Sequence, residues 1–480
     1  MPRQWPRIWY AATGMALLLP GPSHAHSFGR TYNLPIPLWL YIYGASAALV
    51  LSFVVFALWR PGPRTQTPRF QYLLPAPPAW SSRAWQALGV LALAMAIATG
   101  LVGTPNPYRN WSMTAFWIVF VLGLFYASAL LGNLYRPLNP WATLLGWVRR
   151  VGVGKPRLAW PRWLGYFPAV TLYMGFIVLE LFGAGTPRSL AFALLGYTLL
   201  TLVGAALFGT RRWLQRAEFF SLLFRQVARM ALGFWRRDNN GRPRLVLRSP
   251  TAGLMRPAAD MGLVVFILFM LSSTAFDGLK DTVTWNGLYW ETLVPTLLPE
   301  MADNMVQSYS LLARLQLALN LLVLLASPLL YLGVCMVFLA MGRLVDGNTM
   351  PLATAMRQLA PTLIPIVVAY HASHYFTLLL TQAPQIWTLS LDPMGWGTAV
   401  RRAGPPWTPS PGVVWHTQVA LILIGHVISV AACHFQAREL AVSPLRRIAG
   451  QLPLLLLMVG MTSFGLWVLA QPVNPSRIGL

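Results

Sequence analysis

Seven histidines occur in the 480 residues, and four of them (His371, His374, His426 and His434) lie well inside apolar blocks. An ionisable side chain at membrane depth is costly unless paired, so such positions are functional candidates by default. His371 and His374 are three apart in Ala369-Tyr370-His371-Ala372-Ser373-His374-Tyr375, and this spacing puts both imidazoles on one helix face. His426 lies in the next block, which runs the other way. Counting from the block ends places it at nearly the depth of His371, with His416 near the outer surface and His434 about two turns deeper. Small residues beside them (Ala369, Ala372, Ser373, Gly425) favour close approach of the two helices or room for a cofactor.

Neutral imidazole is a common metal ligand, so His371, His374 and His426 form a candidate site for a divalent metal, zinc or copper, with His416 as an outer ligand. One histidine from each helix could instead ligate the iron of a haem b. Interhelical hydrogen bonding to Ser, Thr or Tyr, and proton relay, stay open beside these. His26 adds a separate copper candidate. If the chain is cut after Ala25, its terminal amine and ring nitrogen could chelate together.

The elements that must hold these groups are read from hydropathy. Of the chain, 56% is hydrophobic and 10% charged, too few charges to cover a water-facing surface in the usual way. Ten apolar blocks, at about 36–59, 84–104, 113–135, 164–185, 189–210, 259–276, 312–341, 359–382, 413–436 and 451–471, each match the length of a membrane-crossing helix. The fold expected is an all-α polytopic transmembrane bundle. Residues 1–25 read as a cleavable export signal, with Arg3 and Arg7, an apolar stretch, Pro20-Gly21-Pro22 and small residues at Ser23 and Ala25. Residues 26–480 read as one membrane domain.

The formal charge of +24 is distributed, not patched. Alternate loops (60–83, 136–163, 211–258, 342–358 and 437–450) carry 26 of the 36 basic residues, and the other loops carry seven. This asymmetry places the basic loops in the cytoplasm and both mature termini in the periplasm of a bacterial-type inner membrane. It accounts for the charge through the lipid bilayer and anionic lipid at the cytoplasmic face, and no base-reading or stacking surface speaks for nucleic acid. Within the basic loop 211–258, Arg225 and Arg229 stand four apart among apolar residues, as in a helix lying in the lipid interface. The opposite loop, 277–309, holds Asp277, Asp281, Glu291, Glu300 and Asp303 against Lys280, a candidate lid or cation-attracting surface. Glu180 and Asp260 sit near block ends, where solvent or an arginine would serve them. Cys335 and Cys433 read as small buried apolar residues, and no phosphate loop, nucleophile elbow or dinucleotide fingerprint occurs.

Several stretches resemble bacterial membrane proteins labelled fenitrothion hydrolase. They are the run from His26 through Tyr41 to Gly44-Ala45, Asn139-Pro140-Trp141, Phe276-Asp277-Gly278 with Trp285, His371 to Tyr375, and Gly425-His426 to His434. The resemblance implies hydrolysis of an organophosphorus triester at its aryl ester bond and assigns no catalytic residue. Three functions follow as alternatives: a hydrolase with metal-activated water, a haem- or copper-binding redox subunit with a membrane or periplasmic protein partner, and a proton- or metal-coupled transporter or assembly factor.

Overall fold

The computed structural model describes residues 37–58, 70–73, 79–150, 156–237, 243–347, 349–397, 409–437 and 444–471. The expected signal 1–25, His26, most of the proline-rich stretch 60–79, and Arg401 and Arg402 lie outside the described residues.

Inside a bilayer every backbone N–H and C=O must find a partner within the chain, and a helix achieves this locally. Among the described residues, ten helices are long and apolar enough to cross. They are α1 (Leu38–Leu58), α2 (Ser81–Val102), α3 (Trp111–Leu131), α4 (Arg162–Phe182), α5 (Pro187–Phe208), α6 (Met261–Lys280), α7 (Met305–Asp346), α8 (Leu352–His374), α9 (Pro411–Gln436) and α10 (Ile448–Ala470). The protein is an all-α, multi-pass membrane protein. Two boundaries differ from the hydropathy reading in ways that matter. Helix α6 continues one turn past residue 276, carrying Asp277 and Lys280 into the packed end of the bundle. Helix α8 starts earlier and ends at His374, where Tyr375 breaks the chain before a short helix, Phe376–Gln382.

Helix α6 is the central element: 89% of its apolar window is buried by other helices, and it packs on α4, α7, α8 and α10. Its start is capped by Asp260, whose Oδ1 accepts the Leu263 N–H at 2.9 Å; the acid therefore serves the helix end. Helices α8 and α9 make the most intimate pair. A Cβ on Gly425 would run into Ala369 Cβ and come 2.7 Å from the Pro365 carbonyl, so only glycine permits this approach. Gly425→Val is expected to wedge the pair apart and cost about 1–3 kcal/mol. A lowered thermal midpoint in detergent, with Gly196→Val (in open space) unchanged, is the measurement.

The arginine-rich end differs from the expected interfacial helix. Residues 210–230 form Thr210–Arg216, Phe219–Val227 and a 3-10 turn. Phe219, Phe220, Leu222, Leu223, Phe224 and Val227 are all buried by protein, so this segment is packed inside the bundle, with no apolar face left for lipid. Glu218 caps it and is fully buried. Its Oε1 accepts from Tyr197 Oη (2.8 Å) and Phe220 N (3.1 Å), its Oε2 from Ser221 N (2.8 Å) and Asn139 Nδ2 (3.3 Å). Burial pushes its carboxyl up from the usual range, and the hydrogen bonds from Ser221, Tyr197 and Asn139 pull it back. Asn139-Pro140-Trp141 is thus structural here. Asn139 also caps the helix Pro140–Arg150 through Ala142 N, and Trp141 stacks on Phe220. A small antiparallel sheet, β1 (Phe70–Leu73), β2 (Gly233–Arg237) and β3 (Pro243–Leu247), joins two basic loops in the order β1-β3-β2.

Candidate functional site

The opposite end of the bundle holds a buried ionic cluster built on the last turn of α6. Asp277 and Lys280 are three apart on one face, each only 5% exposed, with Lys280 Nζ 3.1 Å from Asp277 Oδ1. Lys280 also pairs with Asp281 at the helix end. The second oxygen of Asp277 serves α8: His374 Nε2 lies 2.8 Å away, and the Tyr375 hydroxyl donates at 2.7 Å. Gly278, beside this cluster, packs closely on α10: a Cβ there would sit 2.9 Å from Val468 Cγ1, while His374 Cε1 at 3.5 Å would be in ordinary contact. Thus Asp277 has one oxygen facing a cation and the other receiving two donors, so both oxygens of this buried carboxylate are engaged.

This geometry fixes proton positions by elementary accounting. A carboxylate oxygen can only accept, so the His374 proton is on Nε2, directed at Asp277. In the neutral ring, Nδ1 then carries the lone pair. No hydrogen bond among the described residues reaches Nδ1, and the His374 side chain keeps 20% of its surface exposed. His371 is on the same turn but faces α3. The Tyr126 hydroxyl donates to the His371 carbonyl at 3.1 Å and lies 2.8 Å from His371 Nδ1. Phe125 and Tyr375 enclose its ring at 4.9 and 4.7 Å. Tyr126 follows a π-helical stretch, Thr114–Leu124, an uncommon conformation often found near functional sites. Glu180, half-buried near the end of α4, lies beside the Tyr375 hydroxyl and close to Asp277 and Lys280.

The structure therefore brings His371 and His374 to the two sides of Tyr375 but gives them different partners. His426 lies elsewhere. Ser373 and Gln418 exchange hydrogen bonds, and Ser429 donates to the Thr362 carbonyl, which sets the antiparallel register of α8 and α9. In that register His426 is level with Pro365, six residues and about 9 Å from His371. The equal depth expected from block ends is corrected, because those ends are not level with each other. His426 Nδ1–H bonds its own helix at Ile422 O, 2.9 Å, and Nε2 is buried without a hydrogen-bond partner. His416 bridges Gly412 O and Tyr41 Oη, and His434 bonds Gln451 Oε1. Among the described residues no three His, Cys, Asp or Glu side chains gather so as to hold a metal ion. His371, His374 and His426 accordingly do not share one point.

Sequence reasoning placed Asp277, Asp281 and Lys280 in an open acidic loop; Glu291, Glu300 and Asp303 alone are exposed there. The available signal was an acid and the only outward lysine, one helical turn apart at the end of an apolar block. Tyr126 carried no such signal, and Glu180 is expected from the sequence only as an acid near a block end. No family model, curated protein or solved structure matches the chain.

Proposed function

We propose that this integral membrane protein takes up and releases a proton at His374, coupled to passage of a solute through the bundle. The observation that carries this reading is the buried Asp277 carboxylate, held by Lys280 on one oxygen and orienting His374 Nε2 at 2.8 Å on the other. His374 Nδ1 takes the proton; the resulting imidazolium is stabilised by Asp277 and, in turn, competes with Lys280 for it. That competition links the proton to the position of α8 against α6, which is what coupling to a conformational change requires. The setting, taken from charge distribution, is a bacterial inner membrane with the arginine-rich end cytoplasmic. There Arg211, Arg212 and Arg256, all exposed, meet anionic lipid.

A second reading is hydrolysis of an organophosphorus triester, with His374 as general base toward water and Asp277 as its orienting group. It is favoured by one observation. Phe276-Asp277-Gly278 and His371 to Tyr375, two stretches behind the resemblance to fenitrothion hydrolases, meet at this pair. A triester of this class is apolar and would reach the site through the bilayer.

The test uses purified protein in liposomes containing a pH-sensitive dye, with release of the coloured phenol from fenitrothion followed in parallel. Under the first reading, proton movement falls at least about tenfold in His374→Ala while no phenol is released. Under the second, phenol release occurs and falls about 10²-fold in the same variant. Proton movement and phenol release both unaffected by His374→Ala would remove both readings.

A further inference from the structure

Tyr370 and His374 stand four apart on α8, the spacing at which side chains on one helix face meet. Tyr370 is only 5% exposed, and its hydroxyl finds no hydrogen-bond partner among the described residues. A buried hydroxyl left unpaired is unfavourable, and a phenylalanine would fill the same place without that cost. This hydroxyl lies at the ionic cluster. The point that a Cβ on Gly278 would occupy is 3.5 Å from Tyr370 Oη and 3.5 Å from His374 Cε1. The two atoms are therefore at most twice 3.5 Å, or 7 Å, apart. A bridging water and small rotations of the two rings close such a separation.

Cε1 is the ring carbon between the two imidazole nitrogens. With Nε2–H directed at Asp277, the nitrogen on its other side is Nδ1, which carries the lone pair and takes the proton in the proposed function. One helical turn thus holds a donor without an acceptor and an acceptor without a donor. The neighbouring His371 already shows the pairing formed, with the Tyr126 hydroxyl 2.8 Å from its Nδ1.

We propose that the Tyr370 hydroxyl is the second partner of His374, bonded at Nδ1 directly or through one water, and a positioning residue for its proton exchange. A hydroxyl suits a ring that changes charge, because it both donates and accepts. Toward neutral His374 the phenol donates to the Nδ1 lone pair. Once Nδ1 carries a proton, that N–H donates and the phenol oxygen accepts. Only the hydroxyl rotates; its O–H bond is kept, and the phenol stays neutral throughout. Asp277 then holds the imidazolium at Nε2 and Tyr370 holds it at Nδ1. The inference rests on the proton-handling reading for its purpose, while the hydrogen bond itself does not depend on it.

The experiment compares wild type, Tyr370→Phe and His374→Ala as full-length protein in liposomes. Proton movement is followed with the internal dye, and the histidine rings are labelled with nitrogen-15 for magnetic resonance. The His374 Nδ1 signal is assigned by its loss in His374→Ala. In Tyr370→Phe this signal is expected to move toward that of a lone-pair nitrogen with no donor. Proton movement should fall at least about tenfold, the effect of losing one hydrogen bond to a charged group. The thermal midpoint should stay close to that of the wild type, since the ring is kept. An unmoved Nδ1 signal in Tyr370→Phe would overturn the inference. So would wild-type proton movement in that variant when His374→Ala abolishes it. Failure of the functional reading is distinct: proton movement then persists in His374→Ala itself, and the Nδ1 signal still reports on the bond.

Discussion

Asp277→Ala is expected to destabilise the protein by about 3–5 kcal/mol and to abolish the proton movement proposed for His374. Removing this carboxylate leaves the buried Lys280 with Asp281 as its one remaining ion-pair partner among the described residues. It also strips the Nε2 partner from His374 and the acceptor from the Tyr375 hydroxyl. A buried cation that loses its partner is worse off than if neither charge were present, because the desolvation cost is kept and the attraction is lost. Asp277→Ala combined with Lys280→Met is therefore expected to recover much of the stability and none of the activity. Thermal unfolding in detergent, read beside the liposome assay, separates the two. A double variant no more stable than Asp277→Ala would mean that the ion pair is not the source of the loss.

Glu218→Ala comes next, with an expected loss of at least about 3 kcal/mol, since four donors lose their acceptor in a dry environment. Two are backbone N–H groups at the first turn of Phe219–Val227, where no intrahelical carbonyl can replace the carboxylate. Glu218→Gln should cost less, about 2 kcal/mol, because one oxygen still accepts while the amide group now faces donors. Both variants should leave the proposed proton movement at the other end of the bundle intact per folded molecule. The measurement is the fraction surviving heat in detergent, together with the specific activity of the survivors. A Glu218→Gln protein as stable as the wild type would show that one of these neighbours accepts from it.

The ten spans were legible in the sequence because a membrane helix is specified by its own composition: about twenty consecutive apolar residues satisfy both the bilayer and the backbone. Nothing outside the segment is needed, so Leu38–Leu58 or Pro187–Phe208 could be read to within a few residues. Histidines as candidate site residues could be picked out for a similar reason, since an ionisable side chain among apolar neighbours is costly unless paired. Which partner was not. The face that α8 turns to α6, and the register at which α9 lies against it, depend on contacts between helices such as Gly425 on Pro365 and Asp277 on His374, which no local pattern ranks. One turn of helix also mattered. Hydropathy ends α6 at the first charge, Asp277, whereas the folded helix keeps Asp277 and Lys280 because each neutralises the other once buried. Glu218 escaped notice for a similar reason: besides the local cap on Phe220 and Ser221, its other donors, Asn139 and Tyr197, come from distant segments that meet it only after folding. Composition along the chain decided what crosses the membrane, and the pairing of charges between helices decided where the candidate chemistry lies.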